Sequence, residues 1–223
     1  MDTTLKNFLS NIPAFEDFSE EDLEVVLQAA VKRHLPKGTF LFREGDPGEA
    51  MYLLVEGRTR SFTSDNQGKE FVFLIGEPGD VFGEVSMIDD SPRSWSAQVE
   101  EDSTFLMFTK QDFRTAMDAY PQLKDKLILN LARMVRNLSA TMKNLALLDV
   151  YGRVRALFEG LPQEEQEGGV VMITEPLTQQ AIADRVGSSR EMIARILKEL
   201  VFGGYVRLEN KRIILLQKMP ERF

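Results

Sequence analysis

Leu177-Thr-Gln-Gln-Ala-Ile-Ala-Asp-Arg-Val-Gly-Ser-Ser-Arg-Glu-Met-Ile-Ala-Arg-Ile-Leu-Lys-Glu-Leu200 is the stretch from which the rest of the chain is best read. Thr178 can cap a helix whose inner face is Ala181, Ile182 and Val186. Gly187 then supplies a turn, because a residue without Cβ adopts positive φ cheaply. Ser189 can cap a second helix that turns Ile193, Ile196, Leu197 and Leu200 inward, and Ala183 is small enough for the two helices to approach closely. Two short helices joined in this way predict a helix-turn-helix whose second helix enters the major groove of duplex DNA. Ser188, Ser189, Arg190, Glu191 and Arg195 lie on the outward side near the start of that helix. An Arg can donate two hydrogen bonds to guanine O6 and N7, and a Glu can accept one from cytosine N4. Ser188, Ser189 and Thr178 suit phosphate oxygens, and Gln179 joins the same expected DNA surface. Further on, Tyr205-Val-Arg-Leu208 and Arg212-Ile-Ile-Leu-Leu216 flank Glu209-Asn-Lys211, predicting a β-hairpin wing with basic residues near its tip. The plainer alternative is a helical hairpin with a solvated basic face; capping, turn glycine and wing together favour DNA.

Upstream, Val170-Val-Met-Ile173 reads as a strand and Gln163 to Gly169 as a polar, acidic loop. Val154, Leu157, Phe158 and Leu161 predict a helix ended by Pro162, in a unit that Gly152 opens. Between Pro121 and Gly152 no Pro or Gly occurs. There Leu127, Leu131, Met134, Leu138, Thr141, Leu145 and Leu148 step by 4, 3, 4, 3, 4, 3, a heptad-like seam. A helix over Gln122–Asp149 would be about 42 Å long, more than a small domain needs. A second apolar row, Ile128, Val135 and Met142, widens the stripe, so one face can pack on the chain itself and the other on a partner copy.

Before that helix the texture is β. Thr39-Phe-Leu-Phe42, Met51-Tyr-Leu-Leu-Val55, Phe71-Val-Phe-Leu-Ile75 and Thr104-Phe-Leu-Met-Phe108 are short apolar runs. The turns Glu44-Gly-Asp-Pro-Gly48, Asp65-Asn-Gln-Gly68 and Gly76-Glu-Pro-Gly-Asp80 separate them, which predicts a compact sandwich or barrel. A short helix precedes it, capped by Ser19 and carrying Leu23, Val26, Leu27 and Ala30 at helical spacing. The expected fold class is α+β. It divides into a β-roll sensor over residues 1–111, a long dimerisation helix over 112–149 and a winged helix-turn-helix over 150–223.

The 223 residues, 43% hydrophobic and 28% charged, have enough apolar material for a core, and no apolar run approaches the length that spans a bilayer. Zero cysteines exclude disulfides, thiolate zinc sites, cysteine-held iron–sulfur clusters and a cysteine nucleophile, and they fit a reducing cytoplasm. A single histidine, His34, leaves no Ser-His triad elsewhere and no multi-histidine metal site, so neither an enzyme nor a metal cofactor is expected. The net charge of −8 argues against nucleic acid only while it is left undivided. Residues 1–118 carry 11 Lys and Arg against 23 Asp and Glu, a net −12, whereas residues 119–223 carry 16 against 12, a net +4. An acidic front and a basic back point to two tasks in one chain.

The front half holds Phe82-Gly-Glu-Val-Ser-Met-Ile-Asp-Asp-Ser-Pro-Arg-Ser-Trp-Ser-Ala97. Gly83 would let backbone approach a ligand, Glu84 can accept from sugar hydroxyls, and the segment from Val85 can aim amide N–H groups at an anion. Arg93 can pair with a phosphate and Ser94 can add a hydroxyl bond. A Glu and an Arg ten residues apart are also commonplace on surfaces, so these residues alone leave the site open.

Taken together, these motifs resemble the CRP/FNR family of bacterial transcription regulators over nearly the whole chain. The Phe42-Arg-Glu-Gly-Asp-Pro-Gly48 and Glu56-Gly57 turns resemble its cyclic-nucleotide-binding β-roll, and Gly83-Glu84 with Pro92-Arg93-Ser94 its phosphate cassette. Asn144-Leu-Ala-Leu-Leu-Asp-Val-Tyr-Gly-Arg153 is similar to its hinge, and Ser189-Arg-Glu-Met-Ile-Ala-Arg195 to its recognition helix. The resemblance implies a homodimer paired along the long helices, acting on double-stranded DNA with RNA polymerase as a partner. A cyclic nucleotide or cyclic dinucleotide, cyclic AMP or cyclic di-GMP, is the implied effector. It gives Glu84 the ribose hydroxyl, Arg93 and Ser94 the cyclic phosphate, and Arg190, Glu191 and Arg195 the bases of a palindrome similar to TGTGA–TCACA. Where cyclic-AMP-responsive members carry a Thr-Ser pair, this chain has Leu138 and Ser139, so only Ser139 remains for that contact. Trp95 stands where a small residue usually follows the Arg-Ser pair. Two alternatives stay in view: a nucleotide-binding regulatory subunit that controls a partner protein, and a family regulator with no β-roll ligand.

Overall fold

The computed structural model describes residues 3–12, 15, 18–166, 170–209 and 212–221. The chain falls into two compact units, Met1–Thr63 with Phe73–Arg136, and Ser64–Val72 with Asn137–Phe223.

The first unit begins with helices α1 (Thr3–Ser10) and α2 (Glu20–Ala29). Ser19 starts α2 as expected: its side chain accepts from the Asp22 N–H, and the Asp22 carboxylate accepts from the Ser19 N–H in return. Strands β1 (Val31–Leu35), β2 (Phe40–Phe42), β3 (Ala50–Ser64), β4 (Glu70–Gly76) and β5 (Val81–Phe82) follow, then the short helix α3 (Val85–Asp89) and strand β6 (Ser96–Thr109). One sheet runs β1-β6-β3-β4, with β2 also paired to β6 and β5 to β3.

Two expectations are corrected in this sheet. The run Met51–Val55 is only the start of a 15-residue strand, and Thr104–Phe108 only the end of a 14-residue one. Glu56-Gly57 is no turn between strands but lies inside β3, where the register against β6 shifts on either side of Glu56. Gly57 has φ +101°, and a Cβ there would stand 2.1 Å from Ser103 Oγ, so only glycine fits the irregularity. The bulges let one long antiparallel pair coil while Leu54, Phe82, Ala97, Val99 and Phe105 share a core on its inner face.

Helix α4 (Lys110–Ala119) opens on a Thr109/Asp112 capping box, and α5 (Gln122–Leu147) follows it. Helix α5 is 26 residues long, about 39 Å. Its single buried residue is Leu123. Leu127, Leu131, Met134 and Thr141 of the expected seam are half-covered, whereas Ile128, Val135 and Met142 are 62%, 62% and 68% exposed. The second apolar row is thus the more open one.

In the second unit Asp149 caps α6 (Val150–Gly160), its Oδ1 accepting from the Gly152 N–H at 2.7 Å; Gly152 lies in the first turn rather than before it. Then come β7 (Gln163–Gln166), β8 (Val170–Ile173), α7 (Gln179–Val186), α8 (Arg190–Phe202), β9 (Val206–Glu209) and β10 (Arg212–Leu215), with sheet order β7-β8-β10-β9. The segment expected to be a polar loop therefore supplies a strand: β7 pairs antiparallel with β8, although all four of its side chains are exposed. Phe158, Ile173, Ile182, Ala183, Ile193, Leu200 and Ile213 are packed into one core, which fixes α7 and α8 against the sheet.

Candidate functional site

The helix-turn-helix forms as the sequence dictates. Thr178 Oγ1 accepts from the Ala181 N–H at 3.1 Å, and Ser189 Oγ from the Met192 N–H at 3.2 Å. Gly187 ends α7 at φ +64°. The helices present Ile182, Ala183 and Val186, and Ile193, Leu197 and Leu200, to the core. Ala181 and Ile196 are half-buried at its edge. The helical period leaves Arg190, Glu191 and Arg195 exposed, and among the described residues their side chains make no hydrogen bond or ion pair. They form a cation–anion–cation face at the N-terminal end of α8. Thr178 and Ser189 are exposed beside it, with Gln179 and Ser188 half-buried. Arg185 is not part of this face, because it is buried in an ion pair with Glu175. The wing strands pair in register from Arg212↔Glu209 to Leu215↔Val206, while the tip residues Asn210 and Lys211 lie outside the described residues.

In the first unit Gly83, Glu84 and Arg93 come together. Gly83 has φ +88°, and a Cβ there would lie 2.5 Å from Arg93 Nη1 and 3.1 Å from the Ala50 carbonyl. That close approach is why the position takes glycine. Arg93 is only 5% exposed. Its Nη1 donates to the Gly83 carbonyl at 2.7 Å and its Nη2 to the Ala50 carbonyl, and the guanidinium lies 4.3 Å from the centre of the Phe42 ring. The loop after β2 is tied to the same residue. Gly45 N–H donates to the Arg93 carbonyl at 2.9 Å, and Arg93 N–H donates to the Asp46 carbonyl at 2.8 Å. Phe42, Asp46 and Ala50 were missing from the sequence-derived site. The Gly-Asp-Pro-Gly turn marks the loop, but no local pattern reveals that its backbone holds Arg93.

Glu84, just ahead of α3, is 1% exposed, and its Oε1 has no hydrogen-bond partner. Burial pushes its carboxyl up to about 7, although its own backbone N–H and the nearby Arg93 charge draw it back. Arg93 Nε is likewise buried without a partner, as are the hydroxyls of Thr59 and Ser61 on β3. Burial also lowers the Arg93 pKa. Ser94 is exposed and Val85 half-buried. Trp95 packs edge-on against Phe73, ring centres 5.5 Å apart, at the margin of the β-roll core. Ser139 is exposed on α5 in the portion that belongs to the second unit. Among the described residues no group of three or more His, Cys, Asp or Glu could hold a metal, and no helix is long and apolar enough to cross a membrane.

A buried carboxyl and guanidinium inside a β-roll, followed by a long helix and a winged helix-turn-helix, define a ligand-sensing domain joined to a DNA-binding one. The cyclic nucleotide-binding domain family matches residues 32–120, and the Crp-like helix-turn-helix domain family matches residues 137–220. The CRP-like cAMP-activated global transcriptional regulator of Mycobacterium tuberculosis is 32% identical over 182 residues, 81% of each chain. The cyclic AMP receptor protein of Thermus thermophilus is 30% identical over 197 residues, 88% of each. Among solved structures, the c-di-GMP responsive regulator CLP of Xanthomonas campestris superposes with TM-score 0.78 at 21% identity, over 88% of this chain and 98% of that one. The chain belongs to the CRP/FNR family of transcription regulators. It is a DNA-binding regulator with an effector-binding domain, in a family that is not enzymatic.

Proposed function

We propose that the protein is a homodimer that binds a palindromic promoter site and answers to a cyclic nucleotide or cyclic dinucleotide held in the β-roll. The reading divides the chain into sensor (1–111), dimerisation segment (112–149) and DNA-binding domain (150–223). The observation that carries it is the pair of buried, unpartnered polar atoms Glu84 Oε1 and Arg93 Nε. Each costs stability while unsatisfied. An acceptor beside a donor matches a sugar hydroxyl beside a phosphate oxygen. In this reading Gly83, Val85 and Ser94 border the phosphate, with Ser139 on the base side.

Arg190, Glu191 and Arg195 read base edges, while Thr178, Gln179, Ser188 and Ser189 meet phosphates. The two DNA-binding domains are paired through the exposed row Ile128, Val135 and Met142. Action on promoters entails contact with RNA polymerase, and the cell compartment is the cytoplasm. The relatives' names, one cAMP-activated and one c-di-GMP responsive, support both effector classes.

Calorimetric titration with cyclic AMP, cyclic GMP and cyclic di-GMP tests the effector. One of them should give saturable heat that Arg93→Ala abolishes, and heat that survives the substitution places the ligand elsewhere. A gel shift on palindromic fragments, with and without ligand, tests the rest; no sequence-specific complex in either condition removes the DNA reading.

A further inference from the structure

The first unit contains a cavity of about 790 Å³, bounded by α1 and α2 on one side and by α4 and the start of α5 on the other. Its wall is apolar and aromatic, with Phe8, Phe15, Val25, Phe108, Phe113 and Leu123 among the lining side chains. Three carboxyl groups, Asp80, Glu84 and Asp112, break that wall, and Asp112 already accepts from the Thr109 N–H and hydroxyl at the start of α4. Asp80 spends Oδ2 on the Glu77 N–H at 2.9 Å, and among the described residues its Oδ1 has no hydrogen bond. Glu84, 1% exposed, brings its unpartnered Oε1. The volume lies within the range of small-molecule sites, and a mostly apolar wall with a few convergent polar groups is their usual make-up.

We propose that this cavity binds a small organic ammonium with an aromatic or alkyl body, its head group at Asp80 and Glu84 and its body among the phenylalanines. The chemistry selects the charge. An ammonium makes charge-assisted hydrogen bonds to both carboxyl groups and is attracted to the faces of Phe rings. A neutral alcohol of the same shape can donate to the carboxylate but lacks the attraction between opposite charges, and a carboxylate is repelled by Asp80. Lys126 and Arg133 line the α5 side of the cavity, so a cation is favoured at the carboxyl end rather than throughout. Glu84 is shared with the nucleotide reading, whereas Asp80 is not, and Asp80 therefore carries the test.

The full chain is titrated calorimetrically with phenethylammonium, hexylammonium, 2-phenylethanol and 3-phenylpropionate. At least one ammonium should bind, and should bind tighter than the alcohol and the carboxylate. Asp80→Asn should weaken it about tenfold or more. Ala116→Trp, which fills the cavity from α4, should abolish it, with circular dichroism confirming that both variants keep their secondary structure. Asp80→Asn should still bind the cyclic nucleotide, so failure of one site is distinguishable from failure of the other. Absence of ammonium binding, equal affinity for all four probes, or an Asp80→Asn variant that binds like the parent overturns the assignment.

Discussion

Replacing Glu84 with Gln should make the protein more stable, and only above a definite pH. An ordinary glutamic acid titrates at 4.5, whereas burial holds Glu84 at about 7 in the folded protein. Between those values the folded chain keeps a proton that the unfolded chain has lost, so stability falls as pH rises through the window. At 1.36 kcal/mol for each tenfold change, the move from 4.5 to about 7 corresponds to roughly 3 kcal/mol lost once the pH exceeds 7. Gln has nearly the same shape and no charge to bury. Urea unfolding, followed by Trp95 fluorescence at a fixed protomer concentration, measures both proteins. Near pH 4.5 the two should be about equally stable; near pH 8 the variant should lead by roughly 3 kcal/mol. All other titrating groups cancel in the difference. A stability difference that stays the same at both pH values would refute the reasoning, because it would mean that Glu84 is ionised or solvated at no cost. The same cost explains why ligand binding should release a proton just below neutrality, since a hydroxyl donated to Oε1 stabilises the carboxylate.

Three further outcomes are expected. Arg190→Ala should relax base preference at one guanine of each half-site and cost about 1–3 kcal/mol of binding, read by gel shift on single-base variants; an unchanged preference removes Arg190 from base reading. Val135→Glu should raise the dimer dissociation constant about a hundredfold, because two copies of a buried Val are lost across a symmetric interface, each contributing roughly 1.5 kcal/mol. Sedimentation equilibrium checks it, and an unaltered dimer would place the interface off this row. Gly187→Ala should destabilise the second unit by roughly 1–2 kcal/mol, the cost of φ +64° for an L-residue. No atom lies nearer than 3.5 Å to the added Cβ, so the positive φ is the cause of the loss, and an unchanged unfolding transition would show that it carries no such cost.

Local chemistry was the legible part of this fold. Thr178, Gly187 and Ser189 are caps and a turn, each set by one or two neighbours, and all three behave in the structure as their residue types require. The same holds for Ser19 and for the period of α5. What escaped depends on partners far away in sequence. Glu56-Gly57 has the composition of a turn, and only its position opposite Ser103 and Thr104 of β6 makes it a bulge in a continuing strand. Gln163–Gln166 has no apolar face to betray a strand; β8 recruits it through backbone hydrogen bonds alone. At the candidate site, the residue types Gly83, Glu84 and Arg93 were readable. That Arg93 reaches back 43 positions to the Ala50 carbonyl was not, and neither was the burial that alters Glu84.

Trp95 is the only tryptophan in the chain, and it sits edge-on to Phe73 two residues beyond Arg93. A single indole means that emission excited at the red edge of the absorption band, where the four tyrosines do not absorb, has one origin. Excited in this way, its spectrum needs no deconvolution and no engineered label: a wavelength shift or a change in quenching reports on the surroundings of Trp95 in the first unit. The chain carries a built-in optical probe beside the proposed effector site, so the kinetics of effector arrival can be sought by stopped-flow on the unmodified protein while DNA association is followed separately on a labelled duplex. Comparing the two time courses orders sensing and DNA capture directly.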